Sequence, residues 1–285
     1  MQRIQRGRSE TITHTFYSDG VATNPSPDSA TVTITRDDGT VLVNAAAATD
    51  TGAGTVSYPL TPTQTALLDI LTVEWTATFG GQSQVFTDYV EVVGGFLFTI
   101  AEARSRSPLG NTATYSTADI ISRRIIVEQE IEDACGVAFV PRYGREQLAG
   151  TGTFNLILSR PRITAIRSIT NAGIALSSAE LATIVSSSAG VLYYPAGWTP
   201  GVGSTYANYD VIYEHGYVYP PEPVRDIALF LLRDKFVNDP ASSGVDPRTT
   251  SIVTPDGTIR FGEGRFGVPW IDSTLANYDE RALIA

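Results

Sequence analysis

The stretch "YEHGYVYPPEPVRDIALFLLRDKF", residues 213–236, joins two grammars in one breath. Tyr213 to Tyr217 reads as a strand end with a glycine turn, and Pro220-Pro221 fixes the approach to a helix because proline presets the helical φ. Val224, Ile227, Ala228, Leu231, Leu232 and Phe236 then fall at i, i+3, i+4, i+7, i+8 and i+12, an apolar stripe with Arg225, Asp226, Arg233 and Asp234 on the other side. Strand, turn and helix in sequence point to an α+β protein with a rigid corner at His215.

Upstream of the corner the alternation continues. "GTFNLILS" (152–159), "ITAIRSIT" (163–170), "GVLYYP" (190–195) and "NYDVIYEHGY" (208–217) read as strands, with a short capped helix, "SSAELATI" (177–184), between them. Before them, "YSTADIISRRIIVEQEIEDACGVAF" (115–139) reads as a first long helix. Ser116 and Asp119 stand at its start, Gly136 at its C-cap, and Ile120, Val127, Ile131 and Ala134 on one face. Thr99 and Glu102 have capping-box spacing in a shorter helix. Beyond Pro240 the chain loosens into Gly, Pro and Ser, with a hairpin-like piece around Asp256-Gly257 and two exposed anchors, Phe266 and Trp270.

Residues 10–93 obey a different rule, period two almost throughout. "TITHTFY" (11–17), "ATVTITR" (30–36), "GTVSYPL" (54–60), "LTVEWTATF" (71–79) and "QVFTDYVEVV" (84–93) are half-buried strands. Asp38-Gly39 marks a tight hairpin, and Thr61-Pro62 with Gln64 a short helical turn. About six strands at this spacing suggest an immunoglobulin-like sandwich with Trp75 in its core. The expected domains are therefore a sandwich over 1–94, a helical domain with a β insertion over 95–240, and an extended arm over 241–285, with a hinge near Gly94-Gly95.

Composition bounds the function. The 285 residues are 42% hydrophobic and 18% charged, with a formal net charge of −10. Residues 1–94 hold four basic and ten acidic side chains, and Lys235 is the chain's single lysine. Tight nucleic-acid binding, which needs clustered Lys and Arg, is excluded. Cys135 stands alone, so neither an internal disulfide nor a cysteine-built zinc site is expected. "MQRIQRGRSE" shows no signal peptide and no run is long enough to span a membrane, so folding in a cytoplasm is the expectation.

Catalytic constellations are thin. Of the two histidines, His14 reads as a mid-strand structural residue. His215 beside Glu214 offers a general base, weighed against a ring packed between Tyr213 and Tyr217, and the packing reading fits better because no third polar group completes a mechanism. There is no Gly-x-Ser-x-Gly elbow, and "GEGRFG" (262–267) has dinucleotide spacing but Pro269 follows where a helix is required. Glu128 and Glu132 lie one helical turn apart, a cation pair or, more simply, a solvated acidic face balanced by Arg123 and Arg124. No enzyme activity, cofactor or metal is expected.

The order of features resembles the head-to-tail adaptor, or head-completion, proteins of long-tailed bacteriophages. The resemblance covers residues 97–260 and is carried by "YSTADIISRRIIVEQEIEDACGVAFVPRYGREQL" (115–148), "SRPRITAIRSIT" (159–170), "GVLYYPAGWTPG" (190–201) and the 213–236 corner. The sandwich resembles accessory immunoglobulin-like modules fused to such adaptors. The resemblance implies a ring, usually of twelve subunits, that docks under the portal protein, extends the DNA channel without gripping DNA specifically, and offers a platform to a stopper or tail-completion protein in the virion neck. It puts the subunit and portal contacts at Ile120, Ile131, Tyr213, His215, Tyr217, Arg225, Arg233, Arg260, Phe261, Phe266 and Trp270. Removing 241–285 is then expected to abolish portal docking while both domains stay folded. The competing expectation is a carbohydrate-binding or adhesion protein that uses the sandwich, motivated by exposed aromatics including Trp198.

Overall fold

The structure is a computed structural model that describes residues 1–25, 30–200, 208–237, 251–254, 257–260, 265–266 and 268–280. It is a mixed α+β protein with several sheets, strand-rich overall. The chain divides into two compact units. Met1–Gly95 with Arg142–Gly144 forms the first, and Phe96–Pro141 with Arg145–Ala285 the second.

In the first unit, β1 (Gln2–Gln5), β5 (Ala30–Arg36), β6 (Val41–Ala47), β9 (Asp69–Phe79) and β10 (Gln82–Val93) make a sheet of order β1-β10-β9-β5-β6. A second sheet, β2-β8-β7, comprises β2 (Glu10–Thr15), β7 (Thr49–Gly52) and β8 (Thr55–Leu60). A short ribbon joins β3 (Tyr17–Ser18) to β4 (Val21–Ala22). The alternation predicted for 30–36 is complete: β5 buries every second residue from Ala30 to Arg36. Ile12, Val56, Val32, Val73 and Trp75 from the two larger sheets share one core, and Trp75 is fully buried in it. At Asp38-Gly39 the expected hairpin closes with Thr40 N donating to Asp38 Oδ1 at 2.8 Å. Thr61 and Gln64 exchange capping-box hydrogen bonds (Thr61 N to Gln64 Oε1, 2.8 Å) over the expected short turn, where Thr65 N donates to Thr61 O at 3.2 Å.

Strand β1 was not legible, since "QRIQ" looks polar. Ile4 enters the core while Arg3 is buried against Glu91, with Nε 2.8 Å from Oε2. Arg142 Nη1 stands 3.1 Å from the same Glu91 oxygen, so one carboxylate serves two buried guanidiniums.

The second unit is built on α1 (Ile100–Ser105), α2 (Thr117–Cys135), α4 (Glu222–Val237) and α5 (Pro269–Ala276), whose apolar faces form one cluster. A short helix, α3 (Ser178–Leu181), carries the predicted cap at Ser177. Helix α2 starts and stops where its caps say: Ser116 Oγ accepts from Asp119 N, and Gly136 takes the left-handed conformation at φ 70°. A four-stranded sheet runs β11 (Arg142–Leu148), β17 (Tyr209–His215), β13 (Ile163–Asn171), β14 (Ile174–Ala175). A small sheet runs β12 (Asn155–Ile157), β16 (Val191–Tyr193), β15 (Val185–Ser186). These two sheets share a second core containing Leu156, Leu192, Trp198 and Tyr213. β18 (Ser251–Thr254) and β19 (Gly257–Arg260) pair antiparallel, as expected of a hairpin-like piece, while Asp256 lies outside the described residues.

The C-terminal arm departs from expectation. Residues 268–280 are not extended: α5 buries Ile271 and Leu275 against α2 and α4. Tyr278 meets Phe139 edge-on at 5.7 Å, and Glu280 N donates to Cys135 O at 2.8 Å. Removing 241–285 therefore strips core, contrary to the reading that both domains survive its loss. Glu128 also departs from its solvated reading. It is fully buried and accepts from Leu97 N at 2.8 Å, so it is no half of a surface cation pair.

The box at α1 gives a testable pH dependence. Thr99 N donates to Glu102 Oε2 at 2.7 Å, and Glu102 N to Thr99 Oγ1 at 3.2 Å. The Thr99 N–H holds the Glu102 carboxyl below its ordinary 4.5. A depressed folded value means the stabilisation is present above the ordinary value and fades as pH falls through the folded one. Glu102→Ala, which removes the carboxylate itself, is expected to cost about 1 kcal/mol at neutral pH, with the deficit shrinking in acid. Denaturant midpoints at several pH values read this; a deficit that does not change with pH assigns the cost to something other than the box.

Candidate functional site

The corner at 213–221 is the site that the sequence singled out, and its geometry separates Glu214 from His215. Strand β17 alternates strictly, with Tyr209, Val211, Tyr213 and His215 buried and the intervening residues half-buried. Side chains of successive strand residues leave opposite faces, so the carboxylate points away from the imidazole. Glu214 is held by Arg167 on the neighbouring strand β13, with Oε1 2.6 Å from Nη2 and 2.9 Å from Nε. A Glu214–His215 acid–base dyad does not form.

Around the histidine the contacts are those of a joint. The His215 and Tyr213 ring centroids lie 5.7 Å apart. The Tyr213 hydroxyl donates to Glu146, and burial pushes its ionisation far above the usual phenol range. Gly216 adopts φ +100°, and a Cβ there would lie 2.5 Å from Val140 O and 2.9 Å from Ala138 O, so only glycine passes. Tyr217 stacks on Phe139 at 5.3 Å, with the Arg162 guanidinium 4.0 Å over its ring. Arg162 Nε in turn donates to Glu280 Oε1 at 2.5 Å. Val218 and Tyr219 then project outward, 60% and 82% exposed, before α4 begins at Glu222.

Nine of the eleven positions expected to contact partners fall into three groups. Ile120, Ile131, Tyr213 and His215 are buried inside their own unit. Tyr217 and Phe266 are partly buried against the helical core. Arg225, Arg233 and Trp270 do reach the surface. Arg225 pairs with Glu102 at 3.3 Å, Arg233 Nε donates to Ser107 O at 2.7 Å, and Trp270, 47% exposed, meets Phe230 edge-on at 5.5 Å. The Arg260 side chain and Phe261 lie outside the described residues.

Trp198 was expected on the surface and is fully buried instead, its Nε1 donating to Phe154 O at 3.1 Å. A buried indole offers no ring face to a sugar. The aromatic and aliphatic surface that is exposed lies beside it. On the outer face of the β12-β16-β15 sheet, Ile157, Tyr193 and Val185 point to solvent while Leu156 and Leu192 point inward, and Phe154 stands 6.1 Å from Tyr193. The signal was in the sequence: no charged residue occurs from Leu181 to Tyr209. The short strands simply carried too few residues for their outward side to be read.

His14 is the second histidine, in the first unit. Its Nδ1 lies 2.7 Å from Asp88 Oδ2, the same oxygen that accepts from Trp75 Nε1 at 3.0 Å. The partners are 74 and 13 residues apart along the chain, which is why strand periodicity alone could not bring them together. Compared with known proteins, the sequence matches no family model, and a search of curated proteins returns no match.

Proposed function

We propose that this chain is a structural virion protein of a long-tailed bacteriophage: a head-to-tail adaptor that assembles as a ring under the portal and carries the stopper or tail. In this reading, α2 and α4 with the inserted sheets are the adaptor body, and the first unit is an immunoglobulin-like module. The resemblance of residues 97–260 motivates the reading, and one observation on the molecule supports it most. The uncharged face bearing Phe154, Ile157, Val185 and Tyr193 is a place where two copies of an acidic chain can meet without opposing carboxylates. A ring needs a contact surface of this kind on every subunit, repeated head to tail. The net charge of −10 suits a channel wall along which DNA slides without being held. Among the described residues no helix is long and apolar enough to cross a membrane.

The test is the mass of the purified protein, alone and mixed with its portal protein, by light scattering with negative-stain imaging. Rings, or monomers that become rings on the portal, are the expected result. A monomer that ignores the portal sinks the reading. A paired variant, Ile157→Glu with Tyr193→Glu, is expected to leave the melting curve within about 1 kcal/mol of the parent, because both side chains are exposed, and to abolish ring formation. Rings that persist in that variant place the contact elsewhere.

A further inference from the structure

The edge of β10 in the first unit is left open over most of its length. Strand β9 pairs with one side of it from Gln82↔Phe79 to Val92↔Asp69. On the other side β1 pairs only from Gln2↔Val90 to Gln5↔Val93. Among the described residues no strand covers that side from Gln82 to Tyr89. Protein edges of this kind are normally blunted by lysine, proline or a bulge. "QSQVFTDY" (82–89) contains no lysine or proline, and its pairing with β9 runs in unbroken register. Val85 and Tyr89 stand 60% and 53% exposed along it.

A cavity of about 610 Å³ opens beside this edge, lined by Ile12, His14, Tyr17, Trp75, Asp88 and Val90 among others. Its volume falls in the range of roughly 300–1,000 Å³ that binding pockets occupy. Among the described residues that line it, Asp88 is the one carboxylate. The His14 and Trp75 contacts both fall on Oδ2, which fixes the carboxylate, while Oδ1 makes no hydrogen bond among the described residues. The Asp88 side chain is 42% exposed, so that oxygen is within reach of a visitor. Among the described residues no lysine or arginine lines the cavity, and residues 1–94 carry four basic against ten acidic side chains.

We infer that this edge and cavity form a docking site for an extended segment of a partner polypeptide, which adds as a strand along Gln82–Tyr89 and sets a basic side chain, arginine above all, onto Asp88. The inference concerns the first unit alone and does not rest on the adaptor reading. Added strands gain affinity from main-chain hydrogen bonds and specificity from pockets that take alternate side chains. Paired residues on neighbouring strands point to the same face, so a residue opposite Asp88 directs its side chain into the cavity. There a guanidinium meets a fixed carboxylate oxygen and aromatic rings, the combination that arginine satisfies best. The observations favour this occupant over a sugar, because the group fixed in the cavity is a carboxylate in an acidic unit, which a cation answers and a neutral sugar does not.

The experiment uses the full chain labelled with nitrogen-15. The three indole N–H signals are assigned through Trp198→Phe and Trp270→Phe. The probe is a capped peptide, Thr-Val-Arg-Val-Thr, with a Gln-for-Arg version as comparator and maltose and galactose as alternatives. The expected result is a saturable shift of the Trp75 indole by the arginine peptide, at an affinity about tenfold or more above that of the glutamine peptide. Asp88→Asn is expected to erase that preference. Since Asp88→Asn also touches His14 and Trp75, Val85→Lys serves as a second variant: its side chain is exposed, and it should weaken the arginine peptide severalfold with the spectrum otherwise intact. Equal response to both peptides, no response to either, or a shift of Trp75 by a sugar alone each overturn the inference.

Discussion

Replacing Ile271 and Leu275 together with alanine is expected to unfold the second unit at 37 °C or bring it to the brink. Both side chains are buried in the core shared by α2, α4 and α5. A buried Ile or Leu cut to Ala costs roughly 2–5 kcal/mol in lost transfer energy and cavity. Domains hold only about 5–15 kcal/mol in total, so the pair removes much of the reserve. Trp270→Ala on the same helix is the control. Its ring is 47% exposed and should cost well under half as much. Denaturant unfolding followed by circular dichroism decides the matter. A double variant within about 1 kcal/mol of the parent would show that the last helix is an appendage after all. The same numbers change the meaning of any truncation: a chain cut at residue 240 that fails to bind a portal has lost core as well as contact surface.

The second large effect is expected at Glu91. Its carboxylate lies 2.8 Å from Arg3 Nε and 3.1 Å from Arg142 Nη1, and the three side chains are only 10%, 4% and 4% exposed. Glu91→Ala leaves two guanidiniums buried without that anion. Breaking a buried ion pair by removing one partner costs about 3–5 kcal/mol. The triple variant Arg3→Met, Glu91→Leu, Arg142→Met tests the cause. Replacing a whole buried ionic group by apolar side chains is often neutral or stabilising, so the triple should recover most of the loss. If the single variant is mild, the arginines have found water. If the triple is as damaged as the single, the defect is packing rather than orphaned charge.

Which parts were legible in the sequence follows from how far each signal reaches. Strands β5, β9 and β17 bury alternate residues, so period two announced them. Helix α2 carried its own punctuation in Ser116 and Gly136. Such signals are local. Strand β1 was missed because its meaning is distant: Arg3 belongs inside only once Glu91 is beside it. Helix α5 was missed because Gly262, Gly264 and Gly267 and the proline at 269 advertise a loop, while the pattern that matters, Ile271, Leu275 and Tyr278, spans barely two turns. At the site, the packing of the His215 ring against Tyr213 was legible, while the pairing of Glu214 with Arg167 on the neighbouring strand was not. It placed Trp198 wrongly because "PAGWTPG" looks like a solvent loop until Phe154 O is seen accepting from the indole. The His14–Asp88–Trp75 cluster was beyond reach altogether, for it exists only where strands from two sheets face one another.

Cys135, the chain's only cysteine, sits buried beneath α5 with its sulfur 3.7 Å from Leu275 O. That position makes it a built-in clock. A thiol reagent cannot reach the sulfur while the helix lies down, so the labelling rate at low reagent counts how often the helix lifts. Run on the free protein and on the ring that the proposed function expects, the same reaction would report, without any added probe, whether assembly clamps the end of the chain or sets it loose.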